Sequence, residues 1–382
     1  MHIEISIRVL IVSLTAPFIL YTINRVSFLQ DDRLGYITVA VLCFTMVSLK
    51  NHYVQAFLNV KRIPTADPLF YVFAVFSFTS VVGITNALQQ DGYIKGFMDF
   101  YVSKAEPYLS SAHCIMMGYW DGVVHCGLLL LMIHLMSTGK SFRSLALVWA
   151  GSTVANQIIL IAGILVGKYG KNHQSALWRN APFLVLSIWA AAKLLNRPRE
   201  LSIIPADKVE AQQKKGLLCR PVDLLLTLVL LGSAIFTVFR GLVVLECSLD
   251  WCFSYIYQYE PYMKDNVGFP KVTMLVFLFY ALPLLTACVY GLLTPGCIWM
   301  LDWTLVIAGA MTQTQWTHIG ASVHSRTPFT YRVPKDEWRL VMTLNLLYAA
   351  VPVLLAVRCY ADQAFFMKNV LPGQTSNGKK MK

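Results

Sequence analysis

The sequence predicts an all-α, polytopic membrane protein of about ten transmembrane helices, in which an N-terminal helix pair precedes two tandem four-helix units. Three observations predict it. Hydrophobic residues make up 56% of the 382 positions and charged residues only 14%, well below the roughly 25% charged of a soluble domain. Uncharged stretches recur at close to the roughly 20 residues a helix needs to cross hydrocarbon. Landmark motifs come back at a nearly constant offset.

The spans are placed near Val9 to Ile23, Leu34 to Leu49, Pro68 to Leu88, Ala112 to Met136, Ser144 to Val166, Leu177 to Leu195, Pro221 to Leu245, Val272 to Leu293, Ile298 to Gly320 and Leu340 to Val357. The first two are short, and a single re-entrant hairpin is the alternative for them. A cleaved signal peptide fits less well, because Arg8 and the apolar run lead into Asn24-Arg25 without a small-x-small cleavage site. Basic residues in the loops number 18 on one side against 13 on the other, which puts both termini in the cytosol. The net charge of +12 calls for no nucleic-acid partner, since juxtamembrane Lys and Arg facing anionic headgroups account for it.

The end of the chain, Lys379-Lys380-Met381-Lys382, matches the dilysine pattern that returns membrane proteins to the endoplasmic reticulum, with Lys379 and Lys380 as its retrieval residues. The nine cysteines form no Cys-x-x-Cys pair and suggest no metal site, most lying in or beside apolar spans where Cys packs as a small hydrophobe. Cys247 and Cys252 flank a turn in a loop this topology makes lumenal, where a disulfide between them can form. No Gly-rich phosphate loop, nucleophile elbow or His-Glu-x-x-His motif is present, and no cofactor is expected.

Self-similarity organises the chain. Glu106-Pro107-Tyr108 recurs as Glu260-Pro261-Tyr262, Pro68 recurs as Pro221, and Leu147-Val148-x-Ala150-Gly151 through Gln157 recurs as Leu305-Val306-x-Ala308-Gly309 through Gln315, at offsets of 154, 153 and 158. The expected organisation is an N-terminal two-helix segment over 1–60, a first four-helix unit over 61–195, a polar cytosolic linker over 196–220, a second unit over 221–358 and a tail over 359–382. Even span numbers give both units one orientation, which lowers a transporter reading built on inverted repeats. The first connecting loop of each unit is rich in aromatics and reads as an interfacial belt or as a lid over an intramembrane pocket.

Polar residues within spans are costly and so mark candidate sites. Asp121 and His125 lie four apart on one helix face beside Trp120 and Tyr119. A carboxylate and imidazole there can hold or move a proton, and an indole face can stabilise a cation; a structural pair bonded to a neighbouring helix is the alternative. Asn156 and Gln157 in the first unit, with Gln313, Gln315 and His318 in the second, form a matched polar set, read as interhelical glue or as ligand contacts. Arg240, near the lumenal end of its span, is expected to snorkel.

Asp67-Pro68-Leu69, Phe73-Ala74-Val75-Phe76, Glu106-Pro107-Tyr108-Leu109, Tyr119-Trp120-Asp121-Gly122, Tyr257-Gln258-Tyr259-Glu260-Pro261-Tyr262 and Thr327-Pro328-Phe329-Thr330-Tyr331-Arg332 resemble the transmembrane 6 superfamily over nearly the whole chain, nearer to its second member than its first. That resemblance implies two EXPERA domains, the four-helix unit shared with the emopamil-binding sterol delta8-delta7 isomerase. It also implies a protein of the endoplasmic reticulum membrane, and of the intermediate compartment towards the Golgi, that regulates triglyceride secretion, lipid-droplet content and cholesterol handling. Its partners would be membrane lipids or sterols, with lipoprotein-assembly proteins a further class. Isomerisation needs an acid, a base and a face that tolerates a carbocation, which Asp121, His125 and Trp120 offer in one unit only; Gly83 and Gly241 stand about where relatives with a working site carry an acid. The reading preferred is therefore a non-catalytic or weakly catalytic lipid-binding regulator. A sterol isomerase acting through Asp121 and His125 is its rival, and a lipid transporter or scramblase and a lipoprotein-assembly scaffold are the remaining alternatives.

Overall fold

The computed structural model describes residues 5–26, 67–170, 174–199, 201 and 203–368. The predicted span Leu34 to Leu49 and the dilysine residues Lys379 and Lys380 lie outside them. Every regular element among the described residues is helical, and seven rods are long and apolar enough to cross a bilayer: α1 (Ile5–Arg25), α2 (Leu69–Gln90), α3 (Ala112–Ser137), α4 (Arg143–Val166), α6 (Pro221–Val244), α7 (Phe269–Leu293) and α9 (Trp338–Ala361). The chain is thus a multi-pass membrane protein. α1 breaks at Leu14-Thr15, where Pro17 sits in the first turn of the resumed helix and needs no N–H partner.

Two further predicted spans are helices of crossing length with more polar composition, α5 (Gln174–Leu195) and α8 (Met300–Val323). Burial explains the second. α8 is the most interior rod, packed chiefly on α4 and α9, so its Asp302, Gln313, Gln315 and His318 face protein rather than lipid.

The seam between α4 and α8 is built from the repeated motif. A Cβ on Gly151 would stand 2.0 Å from the Val306 carbonyl oxygen, and one on Gly309 would stand 1.9 Å from that of Val148. Each copy's glycine therefore receives the other copy's valine backbone. With lipid tails as apolar as Leu, such close approach gains dispersion contacts that bulkier residues would forfeit.

The irregular elements recur as well. A π turn at Asp121–His125 widens α3, and one at Phe277–Ala281 widens α7. A π turn at Tyr101–Ala105 leads into a 3-10 turn at Pro107–Ser110, and Tyr255–Tyr259 leads into Pro261–Lys264 in the same way. Between them Glu106 (φ −139°, ψ 67°) and Glu260 (φ −129°, ψ 65°) share one backbone conformation. At the opposite end Asp67 at the start of α2 is bonded by Arg197 just after α5, and Asp223 in α6 by Arg358 in α9, Nε to Oδ1 2.6 Å. Asp302 takes Arg143 at 2.5 Å and Arg199 at 2.6 Å, fixing the start of α8 to α4 and to the strand of chain after α5.

Candidate functional site

A cavity of about 280 Å³ opens among α1 to α5 and the loop 91–111, close to the lower end of the roughly 300–1,000 Å³ of small-molecule sites. Its apolar wall comes from Ile19, Leu20 and Ile23 of α1, Val75 and Phe76 of α2 and Phe183 of α5. Phe73 and Phe76 pack edge-on against the fully buried Trp149, with centroids 5.3 and 5.1 Å away, so that side of the chamber is rigid.

The π turn in α3 turns Asp121 and His125 to this chamber. His125 Nδ1 lies 2.8 Å from Asp121 Oδ1, and Nε2 lies 2.7 Å from the Ser152 hydroxyl on α4. With its proton on Nδ1 the ring donates to the carboxylate and accepts from Ser152, so both nitrogens are engaged by protein. Gly83 faces the pair across the helix crossing: a Cβ there would stand 3.6 Å from the Asp121 Cβ.

α5 fastens the loop over the chamber. Arg179 donates from Nε to Glu106 Oε1 at 2.9 Å and from its second nitrogen to the Ala105 carbonyl at 2.6 Å, while Asn180 donates to the Tyr108 hydroxyl at 2.9 Å. Burial raises the Glu106 carboxyl above its ordinary range despite Arg179, and burial likewise pushes the Tyr108 phenol well up. The loop aromatics divide between the two readings: Phe100, Tyr101 and Tyr108 line the cavity, whereas Tyr93 is exposed.

Four buried oxygens on this wall have no protein partner: Asn86 Oδ1, Thr153 Oγ1, Asn156 Oδ1 and Gln157 Oε1. Asn86 is oriented by the bond from its Nδ2 to the Leu109 carbonyl, 3.1 Å, and the other three lie on one face of α4 at i, i+3 and i+4.

The second set of helices is filled where the first is hollow. At the offset that relates Glu106 to Glu260, Arg240 corresponds to Asn86. Arg240 is 1% exposed, and its guanidinium lies 2.8 Å from Glu260 Oε2 and 3.0 Å from His318 Nε2. Asn345 donates to Glu260 Oε1 at 2.6 Å and accepts from Gln315 at 2.9 Å, and Arg240 lies over the rings of Phe236 and Tyr348. The expectation that Arg240 snorkels is thus corrected, because a buried carboxylate draws it inward. Burial would raise the Glu260 carboxyl, but Arg240, His318 and Asn345 outweigh that and hold it well below its ordinary range. The two equivalent acids are therefore shifted in opposite directions.

Of the residues singled out in the sequence, Asp121, His125, Asn156 and Gln157 come together on the cavity wall. Gln313, Gln315 and His318 do not reach it: Gln315 and His318 belong to the Arg240 network and Gln313 bonds Thr317. Trp120 stands edge-on to His125 at 6.3 Å and near Trp316, behind the wall, and Tyr119 donates to Asp91 at 2.6 Å. Cys247 and Cys252 are disulfide-bonded. Sequence reasoning passed over Glu106, Arg179 and Asn86 as site residues, although the duplicated Glu-Pro-Tyr motif was the signal for the first. Among the described residues no group of His, Cys, Asp and Glu could hold a metal.

Residues 15–205 match the family model described as "Transmembrane 6 superfamily member 2-like, transmembrane domain". The chain is 44% identical over 359 residues, 94% of each chain, to transmembrane 6 superfamily member 2 of Homo sapiens. It is 43% identical over 377 residues, 98% of this chain and 97% of the relative, to the Mus musculus protein of that name. No solved structure matches the chain.

Proposed function

The chain belongs to the transmembrane 6 superfamily member 2-like family, and from that premise we propose that it is an endoplasmic reticulum regulator of lipid metabolism that holds a sterol or another amphipathic lipid inside the membrane. In this reading it acts on triglyceride secretion, lipid-droplet content and cholesterol handling. The observation that carries the reading is the cavity of the first helix set, apolar at Ile19, Leu20 and Ile23 of α1, Val75, Phe76 and Phe78 of α2 and Phe183 of α5, and polar at Asn86, Asp121, His125, Thr153, Asn156 and Gln157. An amphipathic lipid has that division of surface. The Cys247–Cys252 disulfide supports an oxidising compartment on one face of the membrane, and the Lys379-Lys380 ending supports retrieval to the endoplasmic reticulum from the other.

Mass spectrometry of lipids that copurify with the full chain tests it, beside Thr153→Phe, which places a ring in the cavity. The expected result is a defined lipid on the wild type that the variant has lost. Equal lipid complements on the two proteins would overturn the reading.

The Asp121–His125 pair at 2.8 Å on the same wall favours a second reading, a sterol isomerase. Against it, both His125 nitrogens are spent on protein groups, which leaves the ring without a free position for a substrate proton. Incubation of purified protein with a delta8-sterol separates the two. No double-bond migration is expected; turnover that Asp121→Asn abolishes would install the enzyme instead.

A further inference from the structure

We infer that a second cavity, on the face the basic-residue count assigns to the cytosol, binds an anionic phosphate, carried by an acidic phospholipid headgroup or free in solution. It shares no lining residue with the lipid chamber, so the inference stands apart from the proposed lipid-holding role. At about 220 Å³ it falls below the roughly 300–1,000 Å³ of small-molecule sites, a size for a headgroup or a small ion. The ends of four rods meet there: Arg143 and Ser144 open α4, Leu301 lies at the start of α8, Tyr360 near the end of α9, and Arg199 follows α5.

The charge there is unbalanced. Arg143 spends its guanidinium on both Asp302 oxygens, at 2.5 and 3.0 Å, and on the Leu194 carbonyl at 3.1 Å. Arg199 reaches the same carboxylate through Nε, at 2.6 Å, and its two terminal nitrogens have no partner among the described residues. Asp302, 1% exposed, thus sets one negative charge against two positive ones, and none of the described residues lining the cavity is acidic. A recess with one positive charge left over concentrates anions.

Neutral donors complete the set. The Ser144 and Tyr360 hydroxyls lie 3.2 Å apart; whichever of them donates, the other keeps its proton for a ligand oxygen. α4 begins without a side-chain cap, and its first backbone bond runs from the Ala146 N–H to the Phe142 carbonyl. The N–H groups ahead of Ala146 are therefore open to an acceptor. Guanidinium, hydroxyl and helix-start N–H groups together match the several oxygens of a phosphate. Acidic lipids of a cytosolic leaflet present such a group at the level of the rod ends.

Fluorescence anisotropy of the full-length protein in neutral detergent decides the matter. The probe is a fluorescent short-chain phosphatidic acid; the competitors are dioctanoyl phosphatidic acid, dioctanoyl phosphatidylcholine and inorganic phosphate. Phosphatidic acid should displace the probe at least roughly tenfold more tightly than phosphatidylcholine, whose phosphate is shielded by its own cation. Arg199→Gln, which leaves Asp302 its paired Arg143, should weaken probe binding by at least about tenfold, the scale of one charged hydrogen bond. Ser144→Ala/Tyr360→Phe removes both hydroxyls and should give a smaller loss, and it serves as the test should Arg199→Gln fail to fold. Lys208→Gln removes one charge from an exposed position of the same linker and should bind as wild type. Inorganic phosphate competing as well as phosphatidic acid upholds the site with free phosphate as its ligand; phosphate competing far more weakly upholds it with the lipid headgroup. Equal displacement by the two lipids, or equal weakening by Arg199→Gln and Lys208→Gln, overturns the inference.

Discussion

Replacing Gly309 with alanine should destabilise the whole helical assembly. The new Cβ would lie 1.9 Å from the Val148 carbonyl oxygen, where ordinary contact begins at 3.4 Å. α4 and α8 must therefore part by about 1.5 Å at their tightest point, or one helix must rotate away and lose contacts along its length. Over-packing of this kind costs typically about 1–3 kcal/mol, whereas the higher helix propensity of alanine returns only about 0.5–1 kcal/mol. Gly151→Ala, with its Cβ 2.0 Å from the Val306 carbonyl, should behave alike. Gly232→Ala is the matched control, since nothing lies within 4 Å of a Cβ there and the substitution should be neutral or mildly stabilising. Melting curves of the purified variants in detergent, followed by size-exclusion of a fluorescent fusion, read the difference. Should Gly309→Ala melt at the same temperature as Gly232→Ala, the close-contact account of the seam is refuted.

The two buried glutamates should respond oppositely to neutralisation. Glu260 is held below the ordinary 4.5, so its stabilisation is present above that pH and lost as pH falls towards its depressed value; Glu106 is held above 4.5, so its ionisation penalises the fold as pH rises towards its raised value. At pH 7 Glu260→Gln should therefore melt lower than wild type and Glu106→Gln no lower; in a melting series the Glu106 difference should vanish towards pH 4, while the Glu260 difference persists to pH 4 and shrinks only below it. Arg240→Met strands the Glu260 carboxylate and should cost roughly 3–5 kcal/mol, with Arg240→Met/Glu260→Gln recovering part of it in the same assay. Removing the disulfide by Cys247→Ser/Cys252→Ser should cost about 2 kcal/mol for so short a loop, read as a lower melting temperature that reductant no longer shifts. In sealed microsomes an impermeant maleimide should label the exposed Cys219 from the cytosolic side; protection of Cys219 there would reverse the topology.

Local features were the legible ones. Asp121 and His125 share a helix face by spacing alone, and they meet at 2.8 Å because no distant packing decides that geometry. The repeat was also readable, since Glu106 and Glu260 announce themselves as a tripeptide. What escaped was pairing across the fold. Arg240 and Glu260 are 20 residues apart, His318 and Asn345 lie far beyond, and only tertiary packing brings the four together. Matched positions therefore misled: Gln157 and Gln315 correspond by offset, yet one faces an open chamber and the other a hydrogen-bonded filling. The polarity of α8 was visible as composition, but that it faces protein on nearly all sides required the neighbours to be in place.

The reciprocity of the α4–α8 contact bears on ancestry. Because valine of each copy rests on glycine of the other, the surface is self-complementary, as at the isologous interface of a two-fold homodimer. A lone four-helix protein with this motif would associate with its twin across an axis running along the bilayer normal, both molecules threaded the same way. Joining two such genes in tandem replaces a concentration-dependent encounter with a tethered one, and leaves the fused halves to diverge, the first around a cavity and the second around the buried Arg240–Glu260 pair.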